Sequence, residues 1–417
     1  MPHVVFINRV YPPAGGATGT MLAEMAGALV EDGWRVTVLT GPAEHAPSSE
    51  KTGSGVHVER VGAARFTRAS IWRRAWAYMS LYPALLARAL QLSSPDVIVT
   101  KTDPPMLKVL GPLLGAATGA RTVHWAQDLY PEIAEALDVI AENGVLAGTM
   151  RRLSTWALKR HDRIAAVGRC MKERIADRGI DPATISVIPN WPPSSVSPVP
   201  HADNPFRADH ALDDRFVVMY SGNLGLAHPF DGILGAAERL QQTDPEVLFL
   251  FVGDGPRKDE LESAAGRRGL DNVRFLPFQP FDRLAESLSA ADVHLVTMRP
   301  SAEGLVVPSK LYGALQAGRP ALFLGPSGSE AARVLRENDC GTVLEPDAAA
   351  DLAAAVSHWK ENPDRHSAGR RARTAVADQQ SRSAAAFQEL LASLHPPQSE
   401  APGRAERSRS FCGQESP

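Results

Sequence analysis

The amino-acid sequence predicts an α/β protein made of two parallel-sheet units that face one another across a cleft. Short β-branched and apolar runs alternate with helical patterns from the first residue. Continuous apolar strands separated by helices mean a parallel sheet covered on both faces. The alternation breaks between Pro192 and Asp214, where the chain turns rich in Pro, Ser, His and Asp, and then restarts. A chain of 417 residues is also too long for a single hydrophobic core and suits two domains.

In the first unit, residues 1–191, the pattern places strands at Val4–Asn8, Arg35–Thr40, Val56–Val61, Asp96–Thr100, Thr122–Trp125, Arg163–Val167 and Ser186–Ile188. Residues 192–214 are the expected linker. In the second unit, 215–375, strands are expected at Phe216–Tyr220, Val247–Val252, Val273–Leu276, Asp292–Thr297, Ala321–Leu324 and Thr342–Leu344. Residues 398–417 are polar, charged and proline-containing, the composition of a disordered tail.

Composition excludes several classes. Lys and Arg number 44 against 47 Asp and Glu, so no global basic field points to nucleic acid. Cys170, Cys340 and Cys412 lie far apart without ligand-like spacing and read as reduced thiols. The first residues already form a strand, which predicts no signal peptide. The longest apolar run, Met106 to Ala120, is too short to span a bilayer. The expectation is a cytoplasmic protein that touches a membrane at most peripherally.

The most informative stretch runs from Arg299 to Pro320. A strand ends at Met298, and the following turn carries Arg299, Glu303, Gly304 and Leu305 before a helix opens at Pro308-Ser309-Lys310. Exposed amides at a helix N-terminus suit a phosphate or diphosphate. Lys310 in the first turn opposes the helix dipole unless an anion sits nearby. Glu303 would either hold sugar hydroxyls or merely cap the glycine turn.

Other turns are compatible with the same ligand. In Tyr220-Ser-Gly-Asn-Leu-Gly225, Gly222 and Asn223 let backbone approach a ligand, although a plain strand-to-helix turn would use the same residues. Gly253 and Gly255 flank Asp254 in good turn chemistry. Phe278 either packs against a base or joins the core. The loop holding Gly15 and Gly16 is not Gly-x-Gly-x-x-Gly, and no acid ends strand two, so a dinucleotide is not expected. Asp128, in His124-Trp-Ala-Gln-Asp-Leu-Tyr-Pro-Glu132, would accept a hydrogen bond from a hydroxyl or cap the helix near Pro131. His124 reads as structural. The Arg65–Tyr78 stretch, four arginines among aromatics leading into Met79, Leu81 and Tyr82, is either a core helix with snorkelling arginines or a membrane-facing surface.

The Arg299–Pro320 block resembles the donor-binding segment of family-4 glycosyltransferases, retaining enzymes of the GT-B fold. It is most similar to the bacterial subset that builds exopolysaccharide and O-antigen chains, the colanic-acid type, where Pro-Ser-Lys-Leu-Tyr replaces part of the usual Glu-x7-Glu pattern. Gln-Asp-Leu-Tyr-Pro at 127–131 is likewise favoured by that subset. The resemblance implies transfer of a sugar from a UDP- or GDP-linked donor to a growing glycan or lipid-linked saccharide, with no other cofactor and no metal. It assigns Glu303, Asp128 and Lys310 to the chemistry. Gly222, Asn223, Gly253, Gly255, Phe278, Arg299, Gly304, Leu305 and Ser309 fall to the donor, and Gly15 and Gly16 to the acceptor-side loop. A last helix, 376–397, is expected to return to the first unit. Two departures stand out. The cations that often follow the Ser-Gly-Asn turn are replaced by His228, Pro229 and Phe230, and the second acid of the motif becomes Gly313. A sugar-nucleotide 2-epimerase of the same shape and a non-catalytic sugar-nucleotide-binding subunit are the competing expectations.

Overall fold

The computed structural model describes residues 1–14, 16–43, 46–62, 71–142 and 144–394. Gly15, the Arg65–Ser70 part of the arginine-aromatic stretch, Cys412 and the expected tail lie outside them. Two sheets form, and each expected strand is present within a residue or two of its expected ends.

The first sheet holds β1 (His3–Ile7), β2 (Arg35–Thr40), β3 (Ser49–Lys51), β4 (His57–Arg60), β5 (Val97–Thr100), β6 (Arg121–Ala126), β7 (Arg163–Ala166) and β8 (Ile185–Val187), in the order β3-β4-β2-β1-β5-β6-β7-β8. The pairings are parallel except β3 with β4. The sequence pattern misses β3 because Ser49-Glu-Lys51 is short and has no apolar residue. It is a charged edge strand of the kind that blunts a sheet edge.

The second sheet holds β9 (Phe216–Ser221), β10 (Val247–Val252), β11 (Val273–Leu276), β12 (Val293–Thr297), β13 (Ala321–Leu324) and β14 (Gly341–Leu344). All its pairings are parallel, in the order β11-β10-β9-β12-β13-β14. Chain direction across the sheets reverses between β1 and β5 and between β9 and β12. Crevices outside the carboxyl ends of strands at such points are where open α/β sheets bind ligands.

Core clusters cover both faces of each sheet. The helix Gln379–Leu394 lies on the first sheet, its Phe387 ring 5.9 Å from Phe6 and 4.9 Å from Trp125. A further cluster joins the two units: Leu129, Ile133, Met171 and Ile175 of the first pack with Ala302, Leu305, Val307 and Tyr312 of the second. Two glycines make that joint close. A Cβ at Gly304, whose φ is +71°, would stand 2.6 Å from Arg174 Cγ and 2.9 Å from the Cys170 carbonyl oxygen. A Cβ at Gly168 would meet Val307 and Glu330, both at 3.1 Å. The buried Glu330 accepts a hydrogen bond from the Arg169 amide (2.6 Å), and the Arg169 guanidinium also pairs with Glu337 (2.6 Å).

Candidate active site

In the second unit, a cluster of polar and glycine residues forms where β9 and β12 end. Tyr220 is the next-to-last residue of β9, and its hydroxyl donates to the Asn223 carbonyl at 2.9 Å, fixing the Ser-Gly-Asn turn. Gly222 has a φ of +132°, and the Gly222 amide donates to the Val252 carbonyl. The turn after β10 lies flush against it: a Cβ at Gly253 would overlap the Gly222 carbonyl oxygen, and one at Gly255 would press on the Leu224 backbone. The two glycine turns therefore form one backbone surface, a packing reason for Gly253 and Gly255 that adds to the local turn chemistry.

Lys310 opens the helix Lys310–Gln316 and lays its stem beside Gly222, where a Cβ would stand 3.4 Å from Lys310 Cε. Its ammonium donates to the Tyr220 hydroxyl and to His228 Nε2, the latter at 3.0 Å. It also sits 4.1 Å from the Tyr220 ring centroid. His228 Nδ1 is 2.6 Å from the Thr297 carbonyl, which only accepts, so Nδ1 carries the proton and Nε2 is free to accept from the lysine. His228 is thus held neutral, with its pKa well below the ordinary value through burial and the neighbouring Lys310. Lys310 is half-buried as a residue, yet desolvation brings its ammonium down to about 7. Sequence reasoning found the missing cations after Gly225 but not that His228 would turn back to hold Lys310.

The other candidate residues of the second unit are placed as follows. Glu303 caps the turn after Arg299, and its carboxylate rests against Gly328 in the loop after β13. Leu305 is buried, and its carbonyl accepts from the Leu129 amide of the other unit (2.9 Å). Ser309 precedes Lys310 without a side-chain cap bond. Arg299 lies 3.8 Å from the exposed carboxylate of Asp138 across the cleft. Phe278 is 54% exposed at the end of β11 and takes no part in the core. A Cβ at the buried Gly313 would stand 3.3 Å from Leu288, which leaves that helix position enclosed by packing.

The first sheet presents a second cluster at its own switch point, which sequence reasoning missed apart from Asp128. Lys101, at the end of β5, is fully buried. Its ammonium donates to the Thr18 carbonyl at 3.0 Å and lies 3.8 Å from the Trp125 ring centroid. Thr18 belongs to the first turn of Ala17–Glu31, which Gly16 precedes at a φ of +133°. Asp103 chelates Arg9 through two bonds of 2.7 and 2.6 Å. Thr102 Oγ1 accepts from the Gln127 amide at 2.8 Å and so sets the turn that presents Asp128. Burial, with the Asp103 charge, pushes the Asp128 carboxyl up to about 6, against the pull of Lys101. The available signal was a lysine directly after the apolar run Val97–Thr100, in a central strand. His124 is buried with Nδ1 on the Thr100 carbonyl, a structural histidine.

The Asp128 segment and the Glu303–Ser309 segment meet directly. Asp128 and Val306 form an isolated antiparallel bridge, beside the Leu129–Leu305 hydrogen bond. The family model "Glycosyl transferase 4-like domain" matches residues 16–191, and "Glycosyl transferases group 1" matches residues 203–375. The chain is a GT-B glycosyltransferase. It is 28% identical over 378 residues to the putative colanic acid biosynthesis glycosyl transferase WcaI of Escherichia coli, covering 83% of this chain and 89% of WcaI. It is 29% identical over 262 residues to the probable glycosyltransferase WbjE of Pseudomonas aeruginosa, a match spanning 63% of this chain and 65% of WbjE. The fold is shared with HepE of Anabaena in complex with UDP-glucose. That likeness has a TM-score of 0.67 at 18% identity and covers 94% of this chain and 99% of that one.

The cluster around Asp128 yields a pH prediction. If Asp128 acts ionised, activity falls as pH drops through about 6, because protonation removes the acceptor carboxylate. The Lys101 charge lowers the Asp128 pKa, so Lys101→Met is expected to move that acid limb of kcat/KM to higher pH. A limb at the wild-type position in Lys101→Met would show that Lys101 supports only the fold.

Proposed function

We propose that this glycosyltransferase moves a sugar, with retention of anomeric configuration, from a nucleotide diphosphate donor to a glycan or lipid-linked saccharide of a cell-surface polysaccharide. It would act on the cytoplasmic side of the membrane. The observation that carries the reading is the direct pairing of the Asp128 segment with the Glu303–Ser309 segment. It sets an acid from the first sheet's switch point beside the donor loop of the second. Similarity to WcaI supports the polysaccharide context, and the UDP-glucose complex of HepE supports a UDP-linked donor.

In this reading the diphosphate lies on the Gly222–Asn223 turn, with Lys310 against it. Glu303 accepts from donor-sugar hydroxyls. The acceptor hydroxyl, oriented by Asp128, attacks the face from which the diphosphate departs. Its proton passes to a departing diphosphate oxygen, and the C–O bond to the diphosphate breaks as the new glycosidic bond forms. The protein contributes orientation and charge stabilisation rather than a covalent nucleophile. Family membership favours transfer over 2-epimerisation or binding alone. The test is incubation with UDP- and GDP-sugars followed by NMR. Slow hydrolysis of one donor to nucleotide diphosphate and sugar of retained anomeric configuration is expected. An isomerised donor, or binding without turnover, would overturn the reading.

The proton state of Lys310 gives a second readout. A bound diphosphate favours the ammonium, so the lysine takes up a proton when UDP binds above about pH 7. UDP affinity should therefore weaken as pH rises through that value. Calorimetry in buffers of different ionisation enthalpy is expected to show proton uptake that disappears in Lys310→Met. Uptake unchanged in the variant would place the titrating group elsewhere.

A further inference from the structure

The helix Val145–Leu158 connects β6 to β7 and buries Ala147, Ser154, Ala157 and Leu158 against the first unit. Its other side is unusual for a soluble surface. Val145 is 89% exposed, Leu146 63% and Leu153 42%, with Trp156 half-buried beside them. At 100° per residue these positions share one side with Thr149, Arg152 and Arg160. Residues 145–160 contain Arg151, Arg152, Lys159 and Arg160 and no acid, in a chain whose net charge is −3. Arg151 is engaged with Glu135, but Arg152, Lys159 and Arg160 are exposed, and Arg160 lies 4.9 Å from the Trp156 ring centroid. The nearest acids in sequence are Glu142 before the helix and Asp162 after it, the latter paired with Arg121 at 2.9 Å.

Neighbouring helices of the same face also carry exposed apolar residues. The connections β4 to β5, β5 to β6 and β6 to β7 all run the same way across the sheet, so right-handed crossovers put their helices on one face. On that face the helices Ile71–Leu90 and Leu110–Thr118 pack together and expose Met79 (66%) and Leu113 (46%). Residue 145 follows the loop from the carboxyl end of β6, where Asp128 sits, so the most apolar end of the stripe borders the cleft.

We propose that the helix Val145–Leu158 is the membrane-docking element of this protein and seats on an anionic bilayer. Apolar side chains flanked by cations and free of acids are the composition of an interfacial helix. Charge complementarity selects anionic lipid over a neutral surface. Docked this way, the cleft edge beside Val145 and Leu146 faces the bilayer from which a lipid-linked acceptor would emerge. This extension rests on the acceptor reading above, whereas vesicle binding itself is measured without any sugar transfer.

The test is sedimentation of the full chain with phosphatidylglycerol-containing vesicles and with pure phosphatidylcholine vesicles, alongside donor hydrolysis in solution. The wild type should sediment with the anionic vesicles, release at high salt, and leave the neutral vesicles unbound. Leu146→Glu/Leu153→Glu and, separately, Arg152→Glu/Arg160→Glu should each lose at least about tenfold in vesicle affinity. Donor hydrolysis should stay at the wild-type rate, which also verifies folding. Wild-type binding in both variants, or no wild-type binding at low salt, overturns the proposal. So does a concentration-dependent dimer dissolved by Leu146→Glu/Leu153→Glu, which would assign the face to a second copy of the chain.

Discussion

Lys310→Ala is expected to lower turnover by about two orders of magnitude or more, as loss of one preorganised charge donor does. The diphosphate gains negative charge as the glycosidic bond breaks, so the ammonium matters more in the transition state than in the ground state. UDP binding should weaken by less. The variant should not weaken the apo protein at neutral pH, because desolvation makes the folded state a poor home for this charge. The sign follows from the shift: the lysine falls from 10.5 to about 7 on folding, so between those values the unfolded chain binds more protons. Wild-type stability therefore rises relative to the variant as pH climbs through that window. The competing cation is Arg299, whose guanidinium lies 3.8 Å from the exposed Asp138 carboxylate. Wild-type turnover in Lys310→Ala beside a dead Arg299→Ala would move the clamp to Arg299.

The fold was legible because its strands are continuous apolar runs bounded by glycine, proline and polar residues. Val247–Val252 and Ala321–Leu324 leave no other reading once they alternate with helices. Ser49–Lys51 was not legible, because a charged edge strand lacks the pattern that marks a buried one. In the site, Gly222 and Lys310 were legible because each sits in a short window with a local reason for its residue type. Lys101, Asp103 and Arg9 were not. They meet Asp128 only because β1, β5 and β6 lie side by side at the switch point of the first sheet, a juxtaposition set by topology. His228 was read as a missing cation, whereas its ring is an acceptor that steers one. The sixteen residues from Val145 to Arg160 show the same limit. Only the fold shows that Leu146 and Leu153 face outward.

Glu303→Gln is expected to cut turnover strongly, by about two orders of magnitude, while UDP affinity stays near the wild-type value. A carboxylate accepting hydrogen bonds from donor hydroxyls orients the sugar in the reaction path, and an amide of the same shape accepts more weakly and presents a donor on one side. The diphosphate contacts assigned to Gly222 and Lys310 do not pass through this side chain, which is why nucleotide binding should survive. The geometry supplies an independent check. A Cβ at Gly328 would overlap Glu303 Oε1, and Gly328 is not at a positive φ, so alanine fits its backbone. Gly328→Ala should therefore displace the carboxylate and lower kcat without changing UDP affinity or the melting temperature appreciably. If Glu303 were only the cap of its turn, Glu303→Gln would lose stability and nucleotide affinity together, and Gly328→Ala would leave kcat untouched. Matched kinetics, UDP titration and thermal unfolding of the two variants separate the outcomes.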